Sequence, residues 1–388
     1  MVAAPTLPLM RWAEAELRMI EKLGGDAFSL PSAAQLMGER ATLNGFLVPG
    51  RRSAGGGCRL HDTLDGTVAL TLARADDRAM LPALFGDSGI DGDDDRQIAA
   101  AFAKRHSEAL VAQGRLLGIA IARIGETPVS PACSVTAEGE SRTRRSTPIV
   151  IDLSALWAGP LAAHLVGLSG ARVVKVECHG RPDRMREGDA ALFARLNQGK
   201  ANIALNLRHD ADRAALIALI SQADLVIEAA RPRALRQLGI DADALVRAVP
   251  GLVWMTITGH GAMGDAAQWI GFGDDCSVAG GLSGALRDAS GATGFAGDAC
   301  ADPLTGIHAA RLALARLRDG RAARMILSMS AIVAQALDSE RRRDEKALMA
   351  DLRYWSLRHG TPFPNAGPRP SGRVAALGQD NQAWLASC

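Results

Sequence analysis

The chain has 388 residues, of which 48% are hydrophobic and 22% charged, with a formal net charge of +2. These values are typical of a globular protein with room for one large domain or two ordinary ones. The near-neutral charge gives no field for nucleic acid or an anionic membrane, and aromatic residues at 4% offer few platforms for stacking bases. We therefore expect neither a nucleic-acid nor a membrane partner.

The cysteines and the N-terminus indicate the cell compartment. Six cysteines are scattered without a CxxC pair, which is typical of reduced thiols in a cytoplasmic protein and gives no clear metal site. The first residues contain glutamates where a signal peptide needs an apolar core, and no run of about 18 apolar residues occurs. We expect a cytoplasmic protein without a metal.

The first part of the chain, residues 1–125, predicts a small α+β domain. Residues 11–45 have a mostly helical pattern, and two short strands flank Leu64-Asp65-Gly66. A glycine loop, SAGGG, precedes these strands and ends in Gly55, Gly56 and Gly57. Residues 126–147, rich in Pro, Ser, Thr and charge and without a hydrophobic period, predict a linker.

The next part, residues 148–337, alternates strands with helices. The predicted strands include IVIDLS, RVVKVE, ANIALNL, DLVIEA, LVWMTITG and RMILSMS. Strands separated by helices of this length indicate an α/β fold with a parallel sheet wrapped by helices. Residues 338–388 are charged and then rich in Pro and Gly, and they predict a C-terminal tail.

The usual nucleotide-binding motifs are missing from this sheet. Gly159 stands alone after the first strand and is followed by Pro160, so the glycine cradle of a dinucleotide site is absent and NAD binding is not expected. No Walker loop or GxSxG elbow occurs. Instead, cations follow the predicted strands, a pattern that suits phosphate groups and equally suits a solvated rim: Lys175, Arg181, Arg184, Arg186, Arg208, Arg231, Arg233 and Arg236.

Asp302 stands immediately before an evident amphipathic helix. Pro303 follows it, and apolar residues then recur at three- and four-residue spacing from Ile307 to Leu317. Such an Asp-Pro pair is usually a plain N-cap with proline at the first helical position. The residue by itself therefore predicts a cap, and a chemical role needs support from the rest of the chain.

Six segments supply that support by matching, in one order, the pattern of a known family. They are VIDLSALWAGPLAAHLVGLSGARVVKVE, NQGKANIALNLR, ADLVIEAARPRALRQLGI, GLVWMTITGHG, DPLTGIHAARLALARL and RMILSMSAIV. Residues 148–337 thus resemble the class III CoA-transferases, the group that contains formyl-CoA transferase and carnitine CoA-transferase. The resemblance implies a Rossmann-like CoA-binding domain, a homodimer, and transfer of CoA from an acyl-CoA donor to a carboxylic acid through an aspartyl covalent intermediate.

The site residues follow from the same resemblance. Asp302 matches the nucleophilic aspartate, with Gly306 four residues on, whereas Asp298 falls outside the motif. The SAGGG segment resembles the glycine loop that closes over this aspartate. The implied cofactor is coenzyme A, as the acyl-CoA substrate, and the implied CoA-binding residues are Trp157, Ala158, Lys175, Leu205, Arg208, Ala229, Arg231 and Arg236.

The expected chemistry is covalent catalysis by Asp302. A helix N-terminus should help keep its carboxylate ionised, through the helix dipole and backbone N–H groups. The backbone N–H groups of the glycine loop could donate to a developing oxyanion, because glycine lets the backbone approach closely.

The sequence also departs from the family pattern. The small-domain-like module precedes the large domain, an arrangement that looks like a permutation. Cys178, Ala229 and Gln237 stand where the formyl-CoA transferase pattern has arginine, asparagine and arginine. A non-catalytic CoA-binding homologue therefore stays open as an alternative.

A second alternative is an acyl-CoA racemase or isomerase of the same family. The racemases add a histidine in a GHD-type segment, and Phe272 stands at the matching position of GFGDDCSVAGGLSG. Racemisation needs a base on each face of the α-carbon, so the sequence favours transfer.

Overall fold

The computed structural model describes residues 7–24, 29–74, 76–143, 145–230, 232–364 and 367–385. The strands are β1 (Cys58–Asp62), β2 (Thr67–Thr71), β3 (Ala120–Arg123), β4 (Cys133–Ser141), β5 (Ile149–Asp152), β6 (Arg172–Cys178), β7 (Ala201–Leu205), β8 (Leu225–Glu228), β9 (Val253–Thr258) and β10 (Arg321–Ser328).

The helices lie before, between and after these strands. They are α1 (Met10–Gly24), α2 (Ala33–Leu43), α3 (Leu81–Phe85), α4 (Asp95–Ala103), α5 (Ser107–Leu116), α6 (Ala158–Leu168), α7 (Met185–Gly188), α8 (Ala190–Asn197), α9 (Asp210–Ser221), α10 (Pro232–Gln237), α11 (Ala242–Ala248), α12 (Gly273–Ala279), α13 (Leu282–Ser290), α14 (Ala301–Asp319), α15 (Met329–Leu357) and α16 (Asn381–Leu385). In the part of the chain that the structure describes, no helix is long and apolar enough to cross a bilayer.

The large sheet has seven strands in the order β4-β10-β9-β8-β5-β6-β7. All neighbours are parallel except β4, which runs antiparallel to β10. Counted from β5 as the first strand, the six parallel strands have the order of doubly wound sheets. The α/β prediction is confirmed. The order reverses between β5 and β8, where such sheets bind ligands at the carboxyl ends of the strands.

The predicted linker over 126–147 is wrong for residues 133–141, which form the edge strand β4. Most of its side chains are partly or fully exposed, so the strand carries no hydrophobic alternation that the sequence could reveal. Three arginines follow this strand, at positions 142, 144 and 145. Arg142 and Arg145 both pair with the carboxylate of Asp224, and Arg144 lies outside the described residues.

The predicted small domain over 1–125 is also wrong for its first third. Helices α1 and α2 pack into the core of the large sheet, and the main apolar cluster joins Trp12, Leu17, Ile20 and Leu36 with Val150, Leu161 and Ile307. The small unit is the three-stranded sheet β1-β2-β3 with helices α3 to α5, which has its own core around Leu70, Phe102 and Ile121.

The C-terminal segment covers the outer edge of the sheet. Backbone N–H groups of Asn202 and Ala204 in β7 donate to the side chains of Asp380, at 2.7 Å, and Asn381, at 2.8 Å. An uncovered strand edge invites pairing with other chains, so this segment closes one side of the sheet.

A buried ion pair ties α2 to this segment. Glu39 and Arg369 are 1% and 4% exposed. Arg369 donates to the carboxylate of Glu39 from Nε, at 2.9 Å, and from Nη2, at 2.6 Å.

We expect Glu39→Ala to lower the free energy of unfolding by about 3–5 kcal/mol, because it leaves the Arg369 guanidinium buried without its partner. Urea unfolding followed by circular dichroism measures this change. Glu345→Ala, which removes an exposed partner of Arg341, is the control and should change stability by less than about 0.5 kcal/mol. Equal effects of the two substitutions would contradict the structural role of the pair.

Candidate active site

Asp302 lies in the first turn of α14 but is not its cap. The helix begins at Ala301, the N-cap is Cys300, and no side chain caps the helix. The backbone N–H of Asp302 donates to the carbonyl of Ala299 at 2.9 Å, so the turn starts before the Asp-Pro pair. The predicted cap is therefore wrong. Asp302 as a whole residue is partly exposed, and its carboxylate does not bond the N–H groups of its own helix.

Two helix N-termini meet at this carboxylate. A backbone hydrogen bond from Ala158, the first residue of α6, reaches Asp302. Gly306 permits the approach of α6 and α14, since a Cβ there would lie 2.8 Å from the carbonyl oxygen of Ala158. Gly273 permits the position of the carboxylate, since a Cβ there would overlap Asp302 Oδ2.

Burial dominates the charge state of Asp302. It raises the pKa of this carboxyl to about 7, and the charges of Asp274 and Asp298 act in the same direction. The positive charge of Arg40 and the hydrogen bond from Ala158 act against the rise. The prediction that the helix N-terminus keeps Asp302 ionised is therefore wrong, because desolvation raises its pKa by more than the helix dipole lowers it.

Arg40 is the cation of the site, and no sequence motif pointed to it. Its Nε donates to Asp298 Oδ2 at 2.9 Å and its Nη2 donates to Asp298 Oδ1. The guanidinium carbon lies 5.0 Å from the centre of the Trp157 ring. Burial lowers the pKa of Arg40, but the charge and hydrogen bonds of Asp298 outweigh it and raise that pKa overall. Asp298, which falls outside the family motif, therefore belongs to the site as the partner of Arg40.

Two adjacent acids on α12 connect the small sheet to the site. Asp274 accepts from the backbone N–H of Ala299 at 3.1 Å and from the side chain of Ser53. Asp275 accepts from Thr71 Oγ1 at 2.8 Å. Burial is the main cause that raises the pKa of Asp274 to about 6 and the pKa of Asp275 to about 7.

The glycine loop reaches the same place. Ser53 binds Asp274, and a Cβ on Gly55 would lie 3.3 Å from Arg40 Nη2. Gly56 has a φ of +76°, which favours glycine, and its N–H donates to the carbonyl of Ser53 at 2.8 Å. That N–H is not free for an oxyanion, which corrects the expectation for one of the three glycines. The N–H groups of Gly55 and Gly57 have no partner within the described ranges.

The predicted CoA-binding residues divide into two groups. Trp157 and Ala158 follow β5, and the exposed Ala229 follows β8, so these three flank the point where the strand order reverses. Lys175 and Leu205 are 1% and 2% exposed, and their side chains do not line the surface. For these two residues, CoA binding stays a prediction from the sequence.

Lys175 and Leu205 have structural surroundings. Lys175 Nζ donates to the carbonyl of Ser154 at 2.9 Å and pairs with Asp183 at 3.1 Å, which fixes the loop that leads to α6. Leu205 packs in the second apolar cluster, on the face of the sheet that also holds Trp254. Both side chains point inward because they belong to central or covered strands.

Three arginines belong to the predicted CoA-binding residues. Among the described side chains of these arginines, those of Arg208 and Arg236 are exposed. Arg208 follows β7 and Arg236 lies on α10 after β8, three strands away in the sheet, a spacing of roughly 14 Å. Arg231 and the side chain of Arg233 lie outside the described residues, and Arg186 is paired with Glu177 at 2.5 Å.

One group of potential metal ligands occurs within the described residues. Donor atoms of His260, Asp275 and Cys276 lie within 4.8 Å of one another, and His260 Nε2 has no hydrogen-bond partner in that part of the chain. Burial lowers the pKa of His260 to about 3 and raises that of the Cys276 thiol. No ligand spacing in the sequence predicts this group, since Asp275 and Cys276 are adjacent and neighbours rarely serve one tetrahedral site.

Comparison with known proteins identifies the lineage of the chain. Residues 148–341, half of the chain, match the family model described as CoA-transferase family III. The chain belongs to CoA-transferase family III. This confirms the resemblance found in the sequence.

Individual relatives match parts of different length. The chain is 33% identical to the acetyl-CoA:oxalate CoA-transferase of Acetobacter aceti over 127 residues, 31% of this chain and 33% of that protein. It is 26% identical to the formyl-CoA:oxalate CoA-transferase of Afipia carboxidovorans over 249 residues, 59% of this chain and 57% of that protein. A CaiB/BaiF family protein from Brucella suis aligns at 23% identity with a TM-score of 0.44, over 53% of this chain and 59% of that one. This family III member spans about a third to just over half of the length of these two curated relatives.

The raised pKa of Asp302 predicts how Asp302→Asn changes stability with pH. In the unfolded chain the carboxyl ionises near its ordinary value of 3.8, whereas in the folded protein its pKa is about 7. Ionisation of Asp302 therefore destabilises the folded protein. This destabilisation is absent below pH 3.8 and reaches its full size once the pH has risen through about 7. Because asparagine does not ionise, the melting temperature of Asp302→Asn relative to wild type should rise between pH 5 and pH 8.

Thermal unfolding monitored by circular dichroism across this pH range measures the difference. Asp94→Asn is the control, since backbone hydrogen bonds with Arg96 and Gln97 lower the pKa of Asp94 and place its titration below this range. Its difference from wild type should stay constant. A flat difference for Asp302→Asn as well would show that Asp302 ionises freely in the folded protein.

Proposed function

We propose that this protein transfers CoA from an acyl-CoA donor to a carboxylic acid, with Asp302 as the covalent nucleophile. The observation that carries the proposal is the position of the Asp302 carboxylate, which lies between the N-termini of α6 and α14 and against Gly273. The glycine loop contacts two neighbours of Asp302, since Ser53 binds Asp274 and Gly55 lies against Arg40. Membership of the family and relatives named as CoA-transferases support the same activity.

The first half of the reaction uses one carboxylate oxygen of Asp302. It attacks the thioester carbonyl carbon, the carbon–sulfur bond breaks, and CoA leaves as a thiolate from a mixed anhydride. The thiolate then attacks the aspartyl carbonyl, which releases the donor's acid and leaves CoA on Asp302 as a thioester. Covalent catalysis of this kind splits one difficult exchange into easier steps.

The second half of the reaction reverses these steps, with the acceptor acid in place of the donor's acid. Its carboxylate attacks the aspartyl thioester, the CoA thiolate leaves again, and a second anhydride forms. Thiolate attack on the acceptor's carbonyl then produces the new acyl-CoA and regenerates the Asp302 carboxylate. No step requires net proton transfer, so position and exclusion of water supply most of the rate gain.

The burial that raises the pKa of Asp302 assists the attack. A carboxylate surrounded by protein is less hydrated than one in water, and a less hydrated nucleophile has less solvent to shed. The backbone N–H groups of Gly55 and Gly57, which have no partner among described residues, are suited to donate to the oxyanion of each tetrahedral intermediate. Gly56 shapes the turn that presents them.

Acyl-CoA binding is assigned to the carboxyl edge of the sheet. Arg208 and Arg236 offer exposed guanidinium groups for the phosphates, and the backbone at Trp157, Ala158 and Ala229 lines the point where the strand order reverses. A homodimer and a cytoplasmic location stay predictions from the sequence.

The two alternatives make different predictions at Asp302. Proton exchange at the α-carbon would need a second base, and Phe272, at the N-cap of α12, carries no titratable group. A non-catalytic CoA-binding protein would bind CoA without acquiring a covalent adduct. Trapping the adduct therefore tests the proposal.

Wild-type protein incubated with acyl-CoA and then hydroxylamine should gain a hydroxamate on the peptide that carries Asp302, detected by mass spectrometry. Asp302→Asn should lose this product and lower CoA transfer at least about 1,000-fold, because an amide cannot form the anhydride. Asp319→Asn, at the exposed end of the same helix, is the matched control and should keep both. Transfer by the Asp302→Asn protein would refute the mechanism.

Arg208→Ala should weaken CoA binding by ~1–3 kcal/mol, the range for a charge-assisted hydrogen bond. Isothermal titration calorimetry with CoA measures the dissociation constant. Arg343→Ala, an exposed arginine on α15, should leave it unchanged. If Arg208→Ala binds CoA like wild type, the phosphate groups lie elsewhere.

A further inference from the structure

We propose that Arg40 binds the carboxylate group of the acceptor acid beside Asp302. The inference rests on the proposed function of this site and adds to it the residue that recognises the second substrate. It comes from the contacts of Arg40, a residue that neither the sequence motifs nor the family match singles out, since it precedes the matched region by more than 100 residues.

The Arg40–Asp298 pair has a buried end and an open end. The side chain of Asp298 is 0% exposed, whereas that of Arg40 is 22% exposed. Asp298 occupies Nε and Nη2 of the guanidinium. Nη1 has no hydrogen-bond partner in the described part of the chain. It is not one of the polar atoms there that are both buried and without a partner, so solvent reaches it. Two N–H donors of a fixed cation are therefore available to a ligand.

The guanidinium is held in place on its other sides. Its carbon lies 5.0 Å from the centre of the Trp157 ring and 5.9 Å from that of Phe46. Gly55 covers it so closely that a Cβ there would lie 3.3 Å from Nη2. Trp157 directly precedes Ala158, whose backbone bonds Asp302. Stacking, the ion pair and the glycine loop thus fix Arg40 next to the nucleophile without using Nη1.

The charges of the site explain why an acceptor needs this cation. The groups with the largest effects on the pKa of Asp302 are Asp274 on α12, Asp298 before α14, Arg40 on α2 and the Ala158 N–H on α6. The Cys276 thiol on α12 also interacts with the charge of Asp302. Arg40 exerts the largest charge effect on Asp302, and its charge also acts on Asp274. An acceptor carboxylate brings another negative charge among these acids. Arginine suits it because guanidinium donors match carboxylate oxygens and stay charged at any working pH.

Arg40 also influences the ionisation of Asp302, and the two roles must be separated. Arg40→Gln removes the cation and leaves Asp298 buried and unpaired, so the pKa of Asp302 should rise above about 7. The midpoint of hydroxamate formation against pH should then move upward. In Arg40→Gln/Asp298→Asn both charges are gone and an amide pair replaces the ion pair, so this midpoint should return toward the wild-type value.

The deciding experiment measures binding of succinate and of oxalate to protein saturated with CoA, by isothermal titration calorimetry. We expect Arg40→Gln/Asp298→Asn to lose at least about tenfold in affinity for both acids, since its neutral amide cannot replace a guanidinium. Its affinity for CoA should stay within about twofold of wild type, because the cations assigned to the CoA phosphates are Arg208 and Arg236, which the double substitution leaves in place. The matched control is Arg51→Gln/Asp62→Asn, which neutralises an exposed pair joined at 2.6 Å.

Wild-type affinity for both acids in the Arg40→Gln/Asp298→Asn protein would overturn the proposal, and so would failure of wild type to bind either acid. The outcome does not depend on turnover. Arg40-dependent binding of the acids without a hydroxamate on Asp302 would support the acceptor site and refute the covalent mechanism alone.

Discussion

The close approach of α14 to α6 is the constraint on which the site depends. Gly306 makes it possible, because any side chain there would press on the Ala158 carbonyl and on Leu161. With the helices in contact, the first turn of α14 lies against the first residue of α6, and Asp302 is drawn out of solvent. An aspartate in the first turn of an isolated helix would ionise easily. Here the same residue has a pKa of about 7, because the neighbouring helix and Gly273 replace the water around it.

Strained backbone occurs where these two helices begin. Leu156, two residues before α6, has a φ of +67°, and Ala299, two residues before α14, has a φ of +43°. Residues with side chains seldom adopt such angles, and where they do the surrounding structure must hold them. Asp183 accepts from the backbone N–H of Leu156, and Asp274 accepts from that of Ala299 at 3.1 Å. Both strained turns are therefore held by carboxylates from other parts of the chain.

The acids around Asp302 divide into those that are neutralised and those that are not. Asp298 is matched by Arg40, whereas Asp274 and Asp302 share that cation only at a distance and have raised pKa values of about 6 and about 7. Groups that interact in this way titrate as a set, so the apparent pKa values belong to the cluster. The glycine loop contributes Ser53 to Asp274 and Gly55 to Arg40, and so it contacts one acid with a raised pKa and the cation that neutralises Asp298.

The sequence by itself determined the α/β class, the strands from β5 to β10 and the family, because hydrophobic periodicity and ordered motifs are local properties of the chain. It also singled out Asp302 and the glycine loop. Only the tertiary structure decided that β4 belongs to the sheet, that α1 and α2 belong to the large core, and that Lys175 and Leu205 face inward. Arg40 and Asp298 are 258 positions apart, so no local pattern joins them. The tertiary structure also decides the charge state of Asp302, because desolvation depends on what packs around a side chain and not on its neighbours in sequence.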